Sequence, residues 1–209
     1  MKINDHELNK DNQTTDIAAE SIENTYLPYL HDLVTLIAGV ILVFSLLFRV
    51  VVVSGPSMNN TLIDGDWLLL LGNVFYSEPR KGDIIVASKD SFDNGSPIIK
   101  RVIATEGDTV DIDFEAGIVY VNSIALDEPY THTQTNLQEG MSFPLTVDNG
   151  CIFVMGDNRN VSKDSRSTDI GLVDKREVLG KAMFLLFPGD PDGAKGAQSR
   201  QINRIGAVS

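Results

Sequence analysis

The sequence predicts a mainly β protein in which one N-terminal transmembrane helix precedes a β-rich domain. Two observations carry that expectation. An apolar run from Leu33 to Phe48 holds no charged residue, and the rest of the chain is a series of short apolar segments divided by turn residues. With 209 residues there is room for one anchor and one modest domain.

Residues 1–32 are polar and acidic, and the spacing predicts an anchor over 33–53. The sixteen residues Leu33 to Phe48 rise about 24 Å as a helix, short of a ~30 Å hydrocarbon core. Val50 to Val53 supply the missing length if Arg49 snorkels to the interface. The run is apolar all round, unlike an amphipathic core helix. A cleavable secretory signal would need a short basic leader, so an uncleaved anchor fits better. Lys2, Lys10 and Arg49 are too few and too scattered to orient it by the positive-inside rule.

Beyond the anchor, Asp66 to Leu71 ends at Gly72-Asn73, and Asp83 to Ser88 follows Arg80-Lys81-Gly82. Pro97 to Thr105 is rich in β-branched residues and bounded by Gly95 and Gly107. Thr109–Asp113 and Ile118–Val121 flank Glu115-Ala116-Gly117 as a hairpin. Cys151–Met155 and Met183–Phe187 are further strand-like runs. Residues 189–209 are rich in Gly, Ser, Gln and Asp without hydrophobic periodicity and predict a disordered tail; residues 1–22 are similar in character.

The net charge is −12, and residues 54–209 alone carry 14 basic against 22 acidic residues. Phosphates would be repelled, which excludes nucleic acid as the expected partner. Cys151 stands alone, so neither an intramolecular disulfide nor a cysteine-based zinc cluster can form. It sits in an apolar strand-like run, where a structural cysteine is favoured over a catalytic thiol.

Ser57 lies in Ser54-Gly55-Pro56-Ser57-Met58, a turn of small residues close behind the anchor. A serine hydroxyl needs a nearby base to become a nucleophile. His6 and His31 precede the anchor, leaving His132 in a polar stretch as the one histidine on the serine's side. A lysine can replace it if desolvation lowers its pKa by several units. Strand alternation puts Lys100 on one face with Ile98, Val102 and Ala104, opposite Ile99, Arg101 and Ile103. The residues alone leave open whether Lys100 is buried there or reaches water at a strand edge.

Three segments taken in order, the Ser57 turn, Ile98 to Ile103, and Gly156-Asp157-Asn158-Arg159-Asn160-Val161-Ser162-Lys163-Asp164-Ser165-Arg166, resemble bacterial type I signal peptidases. The resemblance spans roughly Val51 to Phe187 and includes Gly65-Asp66, Gly82-Asp83 and Glu106-Gly107-Asp108. It implies a signal-peptidase-type fold with the catalytic domain over 54–188 and a smaller subdomain inserted at about 108–150. Ser57 would be the nucleophile, Lys100 the general base, and Ser162 the residue holding the lysine amine. Asp157, Arg159, Asp164 and Arg166 would brace the site. Some family members place an oxyanion-binding serine two residues before the nucleophile. Gly55 stands there instead, as in single-anchor Gram-positive forms, leaving the oxyanion to backbone N–H groups, principally that of Ser57. Asn59-Asn60 departs from the proline common in the family.

The resemblance implies a membrane-bound serine endopeptidase that removes signal peptides from exported preproteins. Residues 1–32 would be cytoplasmic, the catalytic domain would lie on the extracytoplasmic side of the cell membrane, and neither cofactor nor metal is implied. The alternative is a catalytically inactive, membrane-anchored module that binds extended peptides at a sheet edge. A self-cleaving Ser/Lys repressor shares the dyad but needs a DNA-binding module, against which the acidic N-terminus and the anchor speak.

Overall fold

The computed structural model describes residues 5–89, 92–190 and 201–208, with side chains from residue 26 onward. It is mainly β with one N-terminal apolar helix, as the sequence predicts. The chain divides into two compact units, Met1–Leu46 and Leu47–Ser209.

The helix α1 spans Asp5–Leu47. Its membrane-length part is Tyr26–Leu47, with a mean hydropathy of 2.2. Those 22 residues rise about 33 Å, enough for a hydrocarbon core. This corrects the expected anchor at both ends. The helix already runs through residues expected to be irregular, 5–22, and it stops before the valines. Strand β1 (Phe48–Val52) begins at once and pairs antiparallel with β2 (Trp67–Gly72), setting Val50 opposite Leu69 and Arg49 opposite Leu70. Three consecutive β-branched residues pack better on a pleated surface than in a further helical turn, so Val50 to Val52 join the sheet and Arg49 has no anchor to leave.

The strands β3 (Ile84–Ser88), β4 (Pro97–Thr105), β9 (Cys151–Met155), β10 (Val173–Asp174) and β11 (Val178–Phe187) complete the path of the larger sheet. Its order is β1-β2-β11-β3-β4-β9-β10. The segment between β4 and β9 forms a second sheet from β5 (Thr109–Asp113), β6 (Ile118–Val121), β7 (Ile124–Ala125) and β8 (Leu145–Thr146), in the order β7-β6-β5-β8. Its hairpin turns at residues 114–117, between β5 and β6.

Period-two alternation divides the interior into three apolar clusters. Ile84 and Val86 join Val53, Met58, Leu62, Leu68 and Leu70, while Ile85 and Ala87 join Ile98, Val102, Ile152 and Val154. The third cluster ties the two sheets together through Ile103, Val110, Val119, Phe153 and Met155. Strand β9 is buried on both faces and divides its side chains between the second and third clusters. In β4 the alternation holds from Ile98 to Val102, and a register shift between Val102 and Ala104 then breaks it. Ala104 therefore joins Ile103 in the third cluster rather than sharing the Lys100 face.

Part of the expected disordered tail, 191–200, lies outside the described residues. The rest of it returns to the sheet. A short 3-10 turn at Ile202–Arg204 leads into β12 (Gly206–Ala207), which pairs with β11 at Phe184 and Leu185. Arg204 Nη1 and Nη2 reach the fully buried carboxylate of Asp66 at 2.9 and 2.7 Å, and Nη2 also donates to the Thr61 carbonyl. Composition predicted disorder because the segment lacks apolar periodicity, and one buried ion pair supplies order that hydropathy does not register.

Arg204→Ala leaves the Asp66 carboxylate buried with, among the described residues, only the Ile63 and Gly189 N–H donors. Because the guanidinium is partly wet, the expected loss is about 2 kcal/mol rather than the larger cost of a fully dry pair. Urea unfolding of the variant measures it; unchanged stability would mean that residues 201–208 do not secure this turn.

Candidate active site

The turn bearing Ser57 is closed at its base by two backbone bonds, Val53 N–H to Asp66 O (2.8 Å) and Gly65 N–H to Val53 O (2.9 Å). Met58 and Leu62 are buried on either side of its last turn, so the loop is pinned by apolar side chains as well. Gly55 has φ +89°, a conformation that an L-residue adopts only with strain, and its N–H donates to Asp64 Oδ1 at 2.8 Å. Gly55 thus shapes the loop, but its own N–H is engaged. The Ser57 N–H makes no hydrogen bond among the described residues.

Lys100 Nζ lies 3.0 Å from Ser57 Oγ and 3.0 Å from the Ile99 carbonyl. The residue is 5% exposed, which decides between the two sequence readings in favour of a buried lysine. Desolvation is the main cause that lowers its pKa, from 10.5 to about 8, helped by Arg166 and opposed by the carboxylates of Asp164, Glu139 and Asp157. As an ammonium it donates to Oγ; as a free amine it can accept the Ser57 proton. His132 is exposed instead, its Nδ1 3.0 Å from Asn60 Oδ1, and it has no hydrogen bond to Ser57.

The segment 156–166 holds both partners. Asn158 N–H donates to the Ser57 carbonyl (3.0 Å) and Asn158 Nδ2 to the Pro56 carbonyl (3.1 Å). Asp157 takes a two-pronged bond from Arg101, Nε to Oδ1 and Nη2 to Oδ2, both 2.8 Å, and also accepts from Thr61 Oγ1. The Arg101 guanidinium stands 4.0 Å over the Tyr130 ring. Arg159 grips Glu128 with Nη1 and Nη2 and donates to Thr135, tying the segment before β8 to this motif. Asp164 and Arg166 are fully buried and doubly bonded, Nε to Oδ1 at 2.8 Å and Nη2 to Oδ2 at 2.9 Å. Both pairs and the Arg101 pair are charge-assisted and bidentate.

Ser162 departs from expectation. It is fully buried, yet its Oγ has no hydrogen-bond partner and is not bonded to Lys100. The Lys100 amine instead takes the Ile99 carbonyl. Ser162 nonetheless lies against the Ser57 backbone: a Cβ at Gly156 would collide with both the Ser162 side chain and the Ser57 carbonyl. Residue 156 must therefore be glycine for the two segments to approach.

A cleft of about 520 Å³ opens beside the pair, walled by residues 51–54, Val86, Phe92 and residues 96–100, with Ser57 and Lys100 in its lining. On one side is β1, the edge strand of the sheet. On the other is the first half of β4, which pairs with β3 but meets β9 only from Arg101 onward. Two unpaired strand edges thus flank the cleft, a template for a third strand. Among the described residues no group of His, Cys, Asp and Glu could hold a metal ion. Cys151 is half-buried, and burial pushes its thiol up, which makes it a poor nucleophile.

Sequence reasoning missed the partners more than the residues. Arg101, Glu128, Asn158 and Gly156 serve the site, but Arg101 and Asp157 are far apart in the chain and no local pattern links them. The one available signal was that Arg101 adjoins Lys100 in the same strand.

A family model described as signal peptidase, peptidase S26, matches residues 27–187. The chain is 33% identical to signal peptidase I of Bacillus licheniformis over 174 residues, covering 79% of this chain and 91% of that protein. It is 32% identical to signal peptidase I T of Bacillus subtilis (strain 168) over 185 residues, covering 85% and 93%. It is 36% identical to probable signal peptidase I-1 of Synechocystis over 172 residues, covering 76% and 83%. A crystal structure of a signal peptidase I from Enterococcus faecalis V583 matches with 32% identity and a TM-score of 0.40, covering 50% of this chain and 96% of that one.

Burying Lys100 costs stability, and the sign follows from linkage. The folded pKa of about 8 lies below the unfolded value of 10.5, so the unfolded chain binds the extra proton between them. Stability falls as pH drops from about 10.5 to about 8 and levels off below, a penalty of ~3 kcal/mol at neutral pH. Lys100→Met should lose that pH dependence and be at least as stable at pH 7, as unfolding at several pH values would measure. A variant less stable than wild type at pH 7 and equally pH-dependent would contradict it.

Proposed function

This chain belongs to the signal peptidase family, peptidase S26, and we propose that Ser57 and Lys100 are the nucleophile and general base through which it works. The chain is an enzyme, a signal peptidase that removes signal peptides. The observation that carries the assignment is the 3.0 Å contact between Lys100 Nζ and Ser57 Oγ at a dehydrated lysine. An inactive peptide-binding module has no need of that pair.

In this reading the free Lys100 amine takes the Ser57 proton as Oγ attacks the scissile carbonyl carbon. The carbonyl electrons move to oxygen, and the unengaged Ser57 N–H is the donor for that oxyanion. The Lys100 ammonium then gives its proton to the leaving amine as the C–N bond breaks and an acyl-enzyme remains. Water then attacks the ester carbonyl as Lys100 takes its proton, the acyl C–O bond to Ser57 breaks to release the new carboxylate end, and Lys100 returns the proton to Oγ. Ser162 is a positioning residue through its packing against the serine turn, and Asp157, Arg159, Asp164 and Arg166 keep that turn in register with β4.

Substrates are preproteins with signal peptides, bound as an extended strand between the edges of β1 and β4. Val51, Val53, Val86, Ile98 and Ile99 line a shallow apolar cleft suited to small side chains near the cut. The protein is membrane-anchored through Tyr26–Leu47. We place the residues before that span in the cytoplasm and the domain from Phe48 onward on the extracytoplasmic side, where the anchor also confines enzyme and membrane-inserted substrate together.

Ser57→Ala and Lys100→Ala should each abolish cleavage of a secretory precursor, and the double variant should be hardly worse, because the two act as one unit. The acidic limb of kcat/KM should titrate near the Lys100 value of about 8 and stay in place in His132→Ala. A limb at 6–7 that vanishes in His132→Ala would transfer the base role to histidine.

The sidedness is tested by a cysteine at the exposed Ser77 in a Cys151→Ser background. A membrane-impermeant thiol reagent added to intact cells should label it. Labelling only from the cytoplasmic side would reverse the topology.

A further inference from the structure

The turn that carries Ser57 has two sets of supports, and only one of them belongs to the last motif. In that one, Asn158 reaches the Pro56 and Ser57 carbonyls. The other comes from the C-terminal segment. Arg204 Nη2 donates both to the Thr61 carbonyl (3.1 Å) and to Asp66 Oδ2 (2.7 Å), while Nη1 donates to Asp66 Oδ1 (2.9 Å). Thr61 is held at a second atom as well, because its hydroxyl donates to Asp157 Oδ2 at 2.5 Å. Asp157 in turn takes both prongs of Arg101, the strand neighbour of Lys100. Contacts thus run without a gap from Arg204, through Thr61, to the strand that bears the lysine.

Arg204 is itself well fixed. Strand β12 pairs with β11, and Val208 N–H donates to the Met183 carbonyl at 3.1 Å. The Val208 side chain packs against the cluster that contains Met58 and Leu62, the apolar pins of the serine turn. The chain that follows β11 converges on the same place. Gly189 N–H donates to Asp66 Oδ1 at 2.7 Å, and a Cβ on Gly189 would collide with the Asp64 carbonyl. The Arg204 side chain is mostly buried and Asp66 fully so, and hydrogen bonds between charged groups are strongest away from water. Arg204 does not line the cleft, so it touches neither substrate nor the reacting atoms. Its contacts end at the closing half of the serine turn.

We propose that Arg204 is a positioning residue for Ser57, joining the Thr61 carbonyl to the Asp66 carboxylate so that the serine turn keeps its place beside the Lys100 strand. The inference rests on Ser57 and Lys100 being the reacting pair. The 3.0 Å between Ser57 Oγ and Lys100 Nζ is a distance between two elements, a turn and a strand, and Thr61 is one point where they are fastened. Without Arg204 the Thr61 carbonyl loses this donor and the turn is free to shift. A misplacement of about 1 Å can cost a hundredfold in rate. No proton passes through Arg204; it acts on orientation alone.

The test uses the full-length enzyme in detergent micelles with a peptide spanning a signal-peptide cleavage site. Wild type, Arg204→Ala, Arg204→Lys, Thr61→Val and the Arg204→Ala/Thr61→Val double variant are compared in kcat, KM and the pH profile of kcat/KM. Each is assayed at a temperature where its unfolding curve shows it fully folded. Arg204→Ala should lose roughly 5- to 50-fold in kcat, with KM within about twofold and the acidic limb in place, because the cleft and the Lys100 burial are untouched. Arg204→Lys, whose single amine offers donors to both acceptors, should recover part of the loss. In the double variant kcat should fall no more than about twofold beyond the larger single loss, since both substitutions undo the same fastening. If Arg204→Ala does not fold, Arg204→Gln carries the same readout. Wild-type kcat in a folded Arg204→Ala would confine the residue to stability and overturn the inference. So would a loss carried by KM, a loss that Arg204→Lys does not relieve, or losses that multiply in the double variant. Ser57→Ala, assayed beside them, stays inactive in all of those cases; an active Ser57→Ala would instead remove the assignment beneath.

Discussion

The proposed mechanism depends on keeping one lysine amine out of water, and the β-rich domain does so. Lys100 sits in a central strand of the larger sheet, and the second apolar cluster contains its strand neighbours Ile98 and Val102. That burial lowers its pKa to about 8 and makes a free amine available near neutrality. The same burial destabilises the fold, a cost that active sites commonly carry. Both effects come from one geometric fact, so the base role proposed for Lys100 and the stability penalty cannot be separated by any change that leaves Lys100 dehydrated.

In the proposed mechanism a dehydrated base is useful only if Ser57 is held against it, and three arginine–carboxylate pairs brace the segment that reaches the Ser57 turn. Arg101–Asp157 joins β4 to the start of the last motif, Asp164–Arg166 closes that motif on itself, and Arg159–Glu128 fastens it to the segment before β8. Each arginine also donates to backbone carbonyls or a hydroxyl, so few donors are wasted in the interior. Breaking one partner of such a pair leaves a buried charge, so the network specifies the arrangement more than it adds to stability. Asn158 then carries the order to Pro56 and Ser57 through two hydrogen bonds.

Much of this was legible in the sequence. Period-two alternation located β3, β4 and β9 and put Lys100 on an apolar strand face, while its role as base was legible only through the family resemblance. The failures have physical causes. Val50 to Val52 are apolar enough for a membrane and branched enough for a strand, and only the partner strand β2 decides between them. The residues near the C-terminus look disordered because their order comes from one ion pair, Arg204 with Asp66, and from two backbone pairings with β11. The pairing of Arg101 with Asp157 links residues remote in sequence, which local pattern does not reveal. The Ser162 contact expected from family resemblance depends on side-chain placement at a scale that no sequence pattern fixes, and here the amine turns to the Ile99 carbonyl.

The most direct measurement is the titration of the Lys100 amine itself. Lysine labelled with ¹³C at Cε gives one resonance per residue, and Lys100→Met identifies the one that belongs to this site. That resonance should titrate near pH 8, well below the ordinary lysine range. A Lys100 signal that titrates with the surface lysines would mean that the amine is charged and hydrated at working pH, and the Ser/Lys mechanism would lose its base.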